Sequence, residues 1–129
     1  KGVHDFTATT GDTFKIALYT SSATLGASTT AFSDTNEITN SSGTAYTSGG
    51  ATLTSVTPTT DSTTAVCDFA DVSFTSASFT ANGALIYNSS ESNAAVAVIA
   101  FGADKTVSSG TFTIQFPTAG ATTAIIRLA

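Results

Sequence analysis

One histidine, one cysteine and nine carboxylates are the residues of this 129-residue chain from which a reaction centre could be built. His4 stands beside Asp5, and any Ser-His-Asp or Cys-His relay would have to run through that single imidazole. Its place in residues 1–12, read as a mobile N-terminal arm, gives it no companion nucleophile, so no catalytic centre is expected. Cys67 cannot form an internal disulfide, and one thiolate is at most one of the four ligands that a structural zinc takes. In the run Ala65-Val66-Cys67-Asp68-Phe69 strand alternation puts Cys67 on the face of Ala65 and Phe69, where it is expected as a small buried hydrophobe. Asp68 and Asp71 stand at an odd offset, which in extended backbone sends the carboxylates to opposite faces and argues against a shared metal. No metal and no cofactor is expected.

Known reaction signatures are missing. No G-x-S-x-G elbow, H-E-x-x-H pair, P-loop or G-x-G-x-x-G fingerprint occurs. A glycosidase needs only two carboxylates, but zero Trp and three Tyr give no sign of an aromatic sugar cleft. Tyr19, Tyr46 and Tyr87 are instead candidate contact anchors, because tyrosine brings rigid area and a polar tip. Of these, Tyr87 closes the apolar run Ala84-Leu85-Ile86 and is better suited to plugging one end of the fold. Asn40-Ser41-Ser42 and Asn88-Ser89-Ser90 match the glycosylation acceptor pattern. Such matches arise by chance in a chain that is one-third Ser and Thr, and both are discounted.

The elements that would position these side chains read as strands. In Thr13 to Tyr19, Phe14, Ile16 and Leu18 share a face while Lys15 and Tyr19 take the other. Further strands are expected over Ala51–Thr57, Thr64–Phe69, Val72–Thr80, Gly83–Asn88, Ala95–Phe101, Thr111–Phe116 and Thr123–Leu128. Breaks are expected at Ser48-Gly49-Gly50, Pro58 to Ser62, Asn82-Gly83, Asn88 to Asn93, Ser108-Ser109-Gly110 and Pro117 to Gly120. Short strands without intervening amphipathic helices imply an all-β fold, an antiparallel β-sandwich of about eight strands, jelly-roll-like or immunoglobulin-like. Its expected core is Phe14, Ile16, Leu18, Phe69, Phe74, Ile86, Val98, Phe112, Ile114 and Ile126. Ala95–Phe101 is apolar on both faces and is expected as a central strand, covered by a second sheet or a neighbouring subunit. Thr111–Phe116 alternates and is expected to border solvent. Thr20 to Gly50 is too long for an ordinary connection and is expected to be a packed excursion, with one helical turn weighed at Asp34-Thr35-Asn36-Glu37 on capping-box spacing.

Length argues for a single domain over 1–129, and composition narrows its partners. Net charge is −5 with 10% charged residues, and the only cations besides histidine are Lys1, Lys15, Lys105 and Arg127. That is too few for the dense basic patch that nucleic acid or an anionic membrane surface would need. The longest mostly apolar stretch, Ala94 to Phe101, falls far short of the roughly 18 residues of a membrane-spanning helix. The chain opens on Lys1, with neither a methionine nor a charged-then-apolar leader, as expected of a sequence whose first residues have been trimmed. Thr, Ser and Ala number 27, 17 and 21. These small residues make up half the chain and give wet sheet faces solubility without charge.

Several segments carry a likeness. Asp12 to Gly26, Tyr46 to Leu53, Asp68 to Phe74, Gly83 to Asn88 and Phe112 to Pro117, in this order, resemble a family of small virion structural proteins, decoration- or cement-like, of tailed bacteriophages. The resemblance covers most of the chain. It implies a capsid or tail component, and because it lies in strand sequences, no functional residue carries over from it. The leading expectation is a capsid decoration or cement protein acting as a homo-oligomer, with a trimer favoured, bound to the major capsid protein or another virion protein. Zero Met, zero Trp and one Cys suit a protein that must resist oxidation outside cells. The alternatives are a tail or fibre module contacting a host receptor and a carbohydrate-binding or hydrolytic β-domain.

Overall fold

A computed structural model of the protein describes residues 3–39 and 46–128. The fold is all-β, with seven strands and no helix among those residues. The strands are β1 (Phe14–Tyr19), β2 (Ala51–Thr52), β3 (Ser55–Asp61), β4 (Thr64–Phe69), β5 (Val72–Asn88), β6 (Ala94–Ile114) and β7 (Ile126–Leu128). They form two antiparallel sheets, one in the order β2-β1-β5-β6 and one in the order β3-β4-β7.

The strand count and several boundaries differ from the eight expected. Val72–Thr80 and Gly83–Asn88 are one strand, β5, and Ala95–Phe101 and Thr111–Phe116 are one strand, β6. The signals Asn82-Gly83 and Ser108-Ser109-Gly110, expected to turn the chain, are absorbed as irregularities in the β5–β6 ladder, where the register shifts four times. Gly102 at φ +75° and Ser109 at φ +48° take up the extra residues in the left-handed region. Only the Asn88 to Asn93 signal reverses the chain between these strands, so that Asn88 pairs with Ala94 across the turn. Ala51–Thr57 is split at Leu53-Thr54, and its second part runs on through Pro58 to Asp61. Proline is tolerated there because β3 is an edge strand and its register breaks between Val56 and Thr59. Thr123–Leu128 shortens to β7.

The core joins both sheets. Phe14 of β1 and Phe69 of β4 lie 5.5 Å apart, ring centre to ring centre, and Phe69 in turn meets Phe116 at 5.8 Å. Phe14, Ile16, Leu18, Phe69, Phe74 and Ile86 are buried as expected. Phe112 and Ile114 are half-buried against this core, and Ile126 is half-buried in β7. Val98 is not core at all, being 37% exposed. The reason is sheet order: β5 is flanked by β1 and β6, while among the described residues β6 has a strand on one side only, with a single bridge from Ala31 to Ala94 on the other, so Ala95–Phe101 is an edge strand and not a central one. In Thr111 to Phe116, Phe112, Ile114 and Phe116 turn inward while Thr111, Thr113 and Gln115 are exposed.

Cys67 is half-exposed rather than buried. Thr64 and Val66 point inward, so Ala65 and Cys67 take the outer face opposite Leu128 and Ile126. Alternation slips before Phe69, which returns to the core three residues after Val66. Partial burial pushes the Cys67 thiol up from its ordinary range.

Candidate functional site

Three places bring together the residues that sequence reasoning singled out. The first lies where the excursion meets β1. Tyr46, wholly buried, accepts a hydrogen bond from the Leu18 N–H (2.9 Å) and donates one to Glu37 Oε1 (2.6 Å). Glu37 is buried too, and it also receives the Gly49 N–H on Oε1 (2.7 Å) and the Ser48 hydroxyl on Oε2 (2.9 Å). Three donors offset the cost of burying that carboxylate. The turn that supplies two of them depends on glycine: Gly50 sits at φ +73°, and a Cβ there would collide with the Ile16 carbonyl.

Tyr19, Tyr46 and Tyr87 are therefore not presented to a partner. Tyr19 donates to the Ser33 carbonyl (2.7 Å) and Tyr87 to the Gly49 carbonyl (2.8 Å), each tying a piece of the Thr20–Gly50 excursion to the sheet. Burial, with the Glu37 carboxylate second, pushes the Tyr19 phenol up to about 12, and the same two causes raise Tyr87. Burial and then the hydrogen bond to Glu37 raise Tyr46 further. Asp34 to Glu37 makes a turn, with the Glu37 N–H donating to the Asp34 carbonyl (3.1 Å), and not a helical turn. Glu37 was missed as a node. Its one legible signal is a capping-box acid placed among β-branched residues unsuited to a helix.

The second place gathers His4, Asp12 and Asn88. Asn88, wholly buried at the end of β5, has its Nδ2 2.7 Å from Asp12 Oδ2 and 3.1 Å from His4 Nδ1, and its Oδ1 accepts the Ser90 N–H (3.0 Å). That burial leaves no room for a glycan on Asn88; Asn40, the other acceptor match, lies outside the described residues. Residues 3–12, expected as a mobile arm, are packed: Phe6 lies flat on Phe14 with ring centres 4.6 Å apart. Asp5 is not part of an acid-base pair with His4 and instead accepts the Thr7 hydroxyl (2.6 Å) and N–H (2.9 Å), which hold its carboxyl below the ordinary range. Asp68 and Asp71 each cap backbone, taking the N–H groups of Phe69 and Phe116. Among the described residues no group of three or more His, Cys, Asp or Glu is placed to hold a metal ion, and no helix is long and apolar enough to cross a membrane.

The third place is an open groove of about 520 Å³ between the loop Leu25–Thr29 and the first part of β6. Ala95, Val96, Ala97, Val98 and Ala100 line its strand side, and Leu25 and Ala27 its loop side. The loop is pinned by the Ala95 N–H, which donates to the Thr30 carbonyl (2.9 Å), and by the Phe32 N–H, which donates to the Asn93 carbonyl (2.9 Å). Phe32 then stacks on Tyr87 at 4.6 Å. The groove combines small apolar side chains with the outer edge of a strand, an arrangement that can take a protein surface or an extended chain. Comparison with protein-family models, with curated proteins and with solved structures gave no match to this chain.

Proposed function

We propose that this protein is a structural component of a bacteriophage virion, a capsid decoration or cement protein that binds the outer lattice as a homo-oligomer, a trimer in the favoured form. Its partner is the major capsid protein or another virion protein, with neither nucleic acid nor membrane involved, and it performs no catalysis. The two sheets form a β-sandwich body in this reading. The observation that carries it is the β6 edge: an apolar groove beside a strand that has no second strand neighbour among the described residues, with Val98 37% exposed at its middle. The likeness of the strand segments to small virion proteins gives the class of partner. Because only 10% of residues are charged, contacts made by this surface are apolar and hydroxyl-rich, and salt should not undo them.

The test is co-sedimentation of the protein with cognate particles at low salt and at about 1 M salt, where charge attractions are screened within a few ångström, together with a reconstruction of the decorated particle. Retention at both salts and density repeated over the capsid surface are expected. Density confined to the tail would give the tail or fibre reading, and glycan affinity without particle binding would give the carbohydrate-binding one. Either result overturns the proposal.

A further inference from the structure

We propose that residues 3–12 are an acid-released strap, latched by the hydrogen bond from buried Asn88 to a neutral His4. The strap folds back on itself. The Asp5 N–H donates to Asp12 Oδ2 (2.8 Å) and the Asp12 N–H to the Asp5 carbonyl (2.8 Å), so its two ends are tied together. Between them Gly11 donates to the Thr7 carbonyl (3.0 Å) at an approach that a Cβ would not allow. Phe6 is what the strap lays on the core: its ring is parallel to that of Phe14 within 1° and stands 6.3 Å from Phe69.

The hydrogen bonds of Asn88 set the state of His4. Asn88 Oδ1 takes the Ser90 N–H and Nδ2 gives one hydrogen to Asp12, and together these fix which end of the amide is which. Reversed, its oxygen would face a carboxylate and its NH₂ would face an N–H. The remaining amide hydrogen therefore points at His4 Nδ1, which must accept it, and a ring that accepts at Nδ1 is neutral. Imidazolium carries N–H on both nitrogens, so protonation sets donor against donor and leaves a buried amide hydrogen without an acceptor. Asp12 shares the Asn88 amide with His4 and Asp5 is its chain neighbour, while Phe6 and Phe14 face it with their rings, at 6.1 Å and 6.2 Å. The carboxylates attract the imidazolium and oppose release, but they cannot accept through the Asn88 hydrogen that is lost. The latch is closed while the ring accepts at Nδ1 and opens when that nitrogen takes up a proton, so acid favours release. Opening lifts Phe6 and uncovers Phe14 and Phe69.

The experiment follows Phe6–Phe14 ring contacts by nuclear Overhauser effects, and strap amide exchange corrected for its intrinsic pH dependence, in the full chain at about pH 8 and about pH 5. In the wild type the open fraction should rise on the order of ten- to hundredfold at the acid end, the range that an unsatisfied buried donor implies. His4→Gln supplies an acceptor that does not titrate and should stay closed at both pH values. His4→Phe supplies none and should be equally open at both, which keeps the proposal falsifiable if Gln fails to reach Asn88. Intact ring contacts in the acid wild type, with the His4 ring carbons showing it protonated, would overturn the latch. So would equal acid opening of the wild type and both variants.

Discussion

At the residue scale the tyrosines do structural work that their polar tips made easy to mistake for recognition. Tyr46 satisfies two buried groups with one hydroxyl, the Leu18 N–H and the Glu37 carboxylate. Tyr46→Phe keeps the ring packing on Phe74 and Phe79, strands the Leu18 N–H and takes from Glu37 one of its three donors. It should cost about 2–4 kcal/mol in urea unfolding, more than a typical hydrogen-bond deletion because it orphans a buried N–H and also removes a charge-assisted donor from a buried carboxylate. Tyr19 gives a pH prediction with a definite sign. Its phenol is raised to about 12 in the fold against about 10 when unfolded, so its stabilising share is complete below about pH 10 and is lost as pH rises toward 12. Stability should fall over that interval, and the tyrosinate absorbance band should lag behind that of the urea-unfolded chain. An unfolded-like titration would refute the burial of all three rings.

At the scale of elements, sheet order decides what a side chain is worth. Leu85 of β5 and Val98 of β6 are direct cross-strand partners, yet Leu85 is wholly buried and Val98 is 37% exposed. Leu85→Ala should cost about 2–5 kcal/mol, the range for a core cavity, and Val98→Ala under about 1 kcal/mol, both read from denaturant midpoints. Comparable losses at the two positions would mean that another chain covers β6 in solution. Both sheets carry guarded edges: Pro58 and a register break in β3, and Gly102 and Ser109 at positive φ in β6. Pro58 and Ser109 looked like turn signals in the sequence because proline and serine mark turns and bulges alike. Only the presence of a partner strand on both sides of the irregularity tells one from the other.

At the scale of the whole molecule, the few charges and the apolar β6 edge predict association that ignores salt. Sedimentation equilibrium should give the same oligomer at low salt and at about 1 M salt. Val98→Asp, at a half-exposed position, should leave the thermal midpoint within a few degrees while weakening self-association or particle binding at least tenfold. A monomer at every concentration that also ignores particles would defeat the virion reading, whereas a salt-labile oligomer would defeat only its apolar mechanism.

The all-β class, β1 and β4 almost to the residue, the one-sided face of Thr111 to Phe116 and six of the ten expected core residues were legible in the sequence. Each of these follows from period-two alternation, which a strand carries along its own length. Tertiary structure alone decided that Ala95–Phe101 is an edge, that two pairs of expected strands are continuous, and that Cys67 faces outward. It also brought Glu37 under Tyr46 and set His4 against Asn88, 84 residues away. A strand's neighbours and register are chosen by long-range pairing, and a buried polar group takes whichever partner that pairing delivers, so neither is encoded in the local pattern.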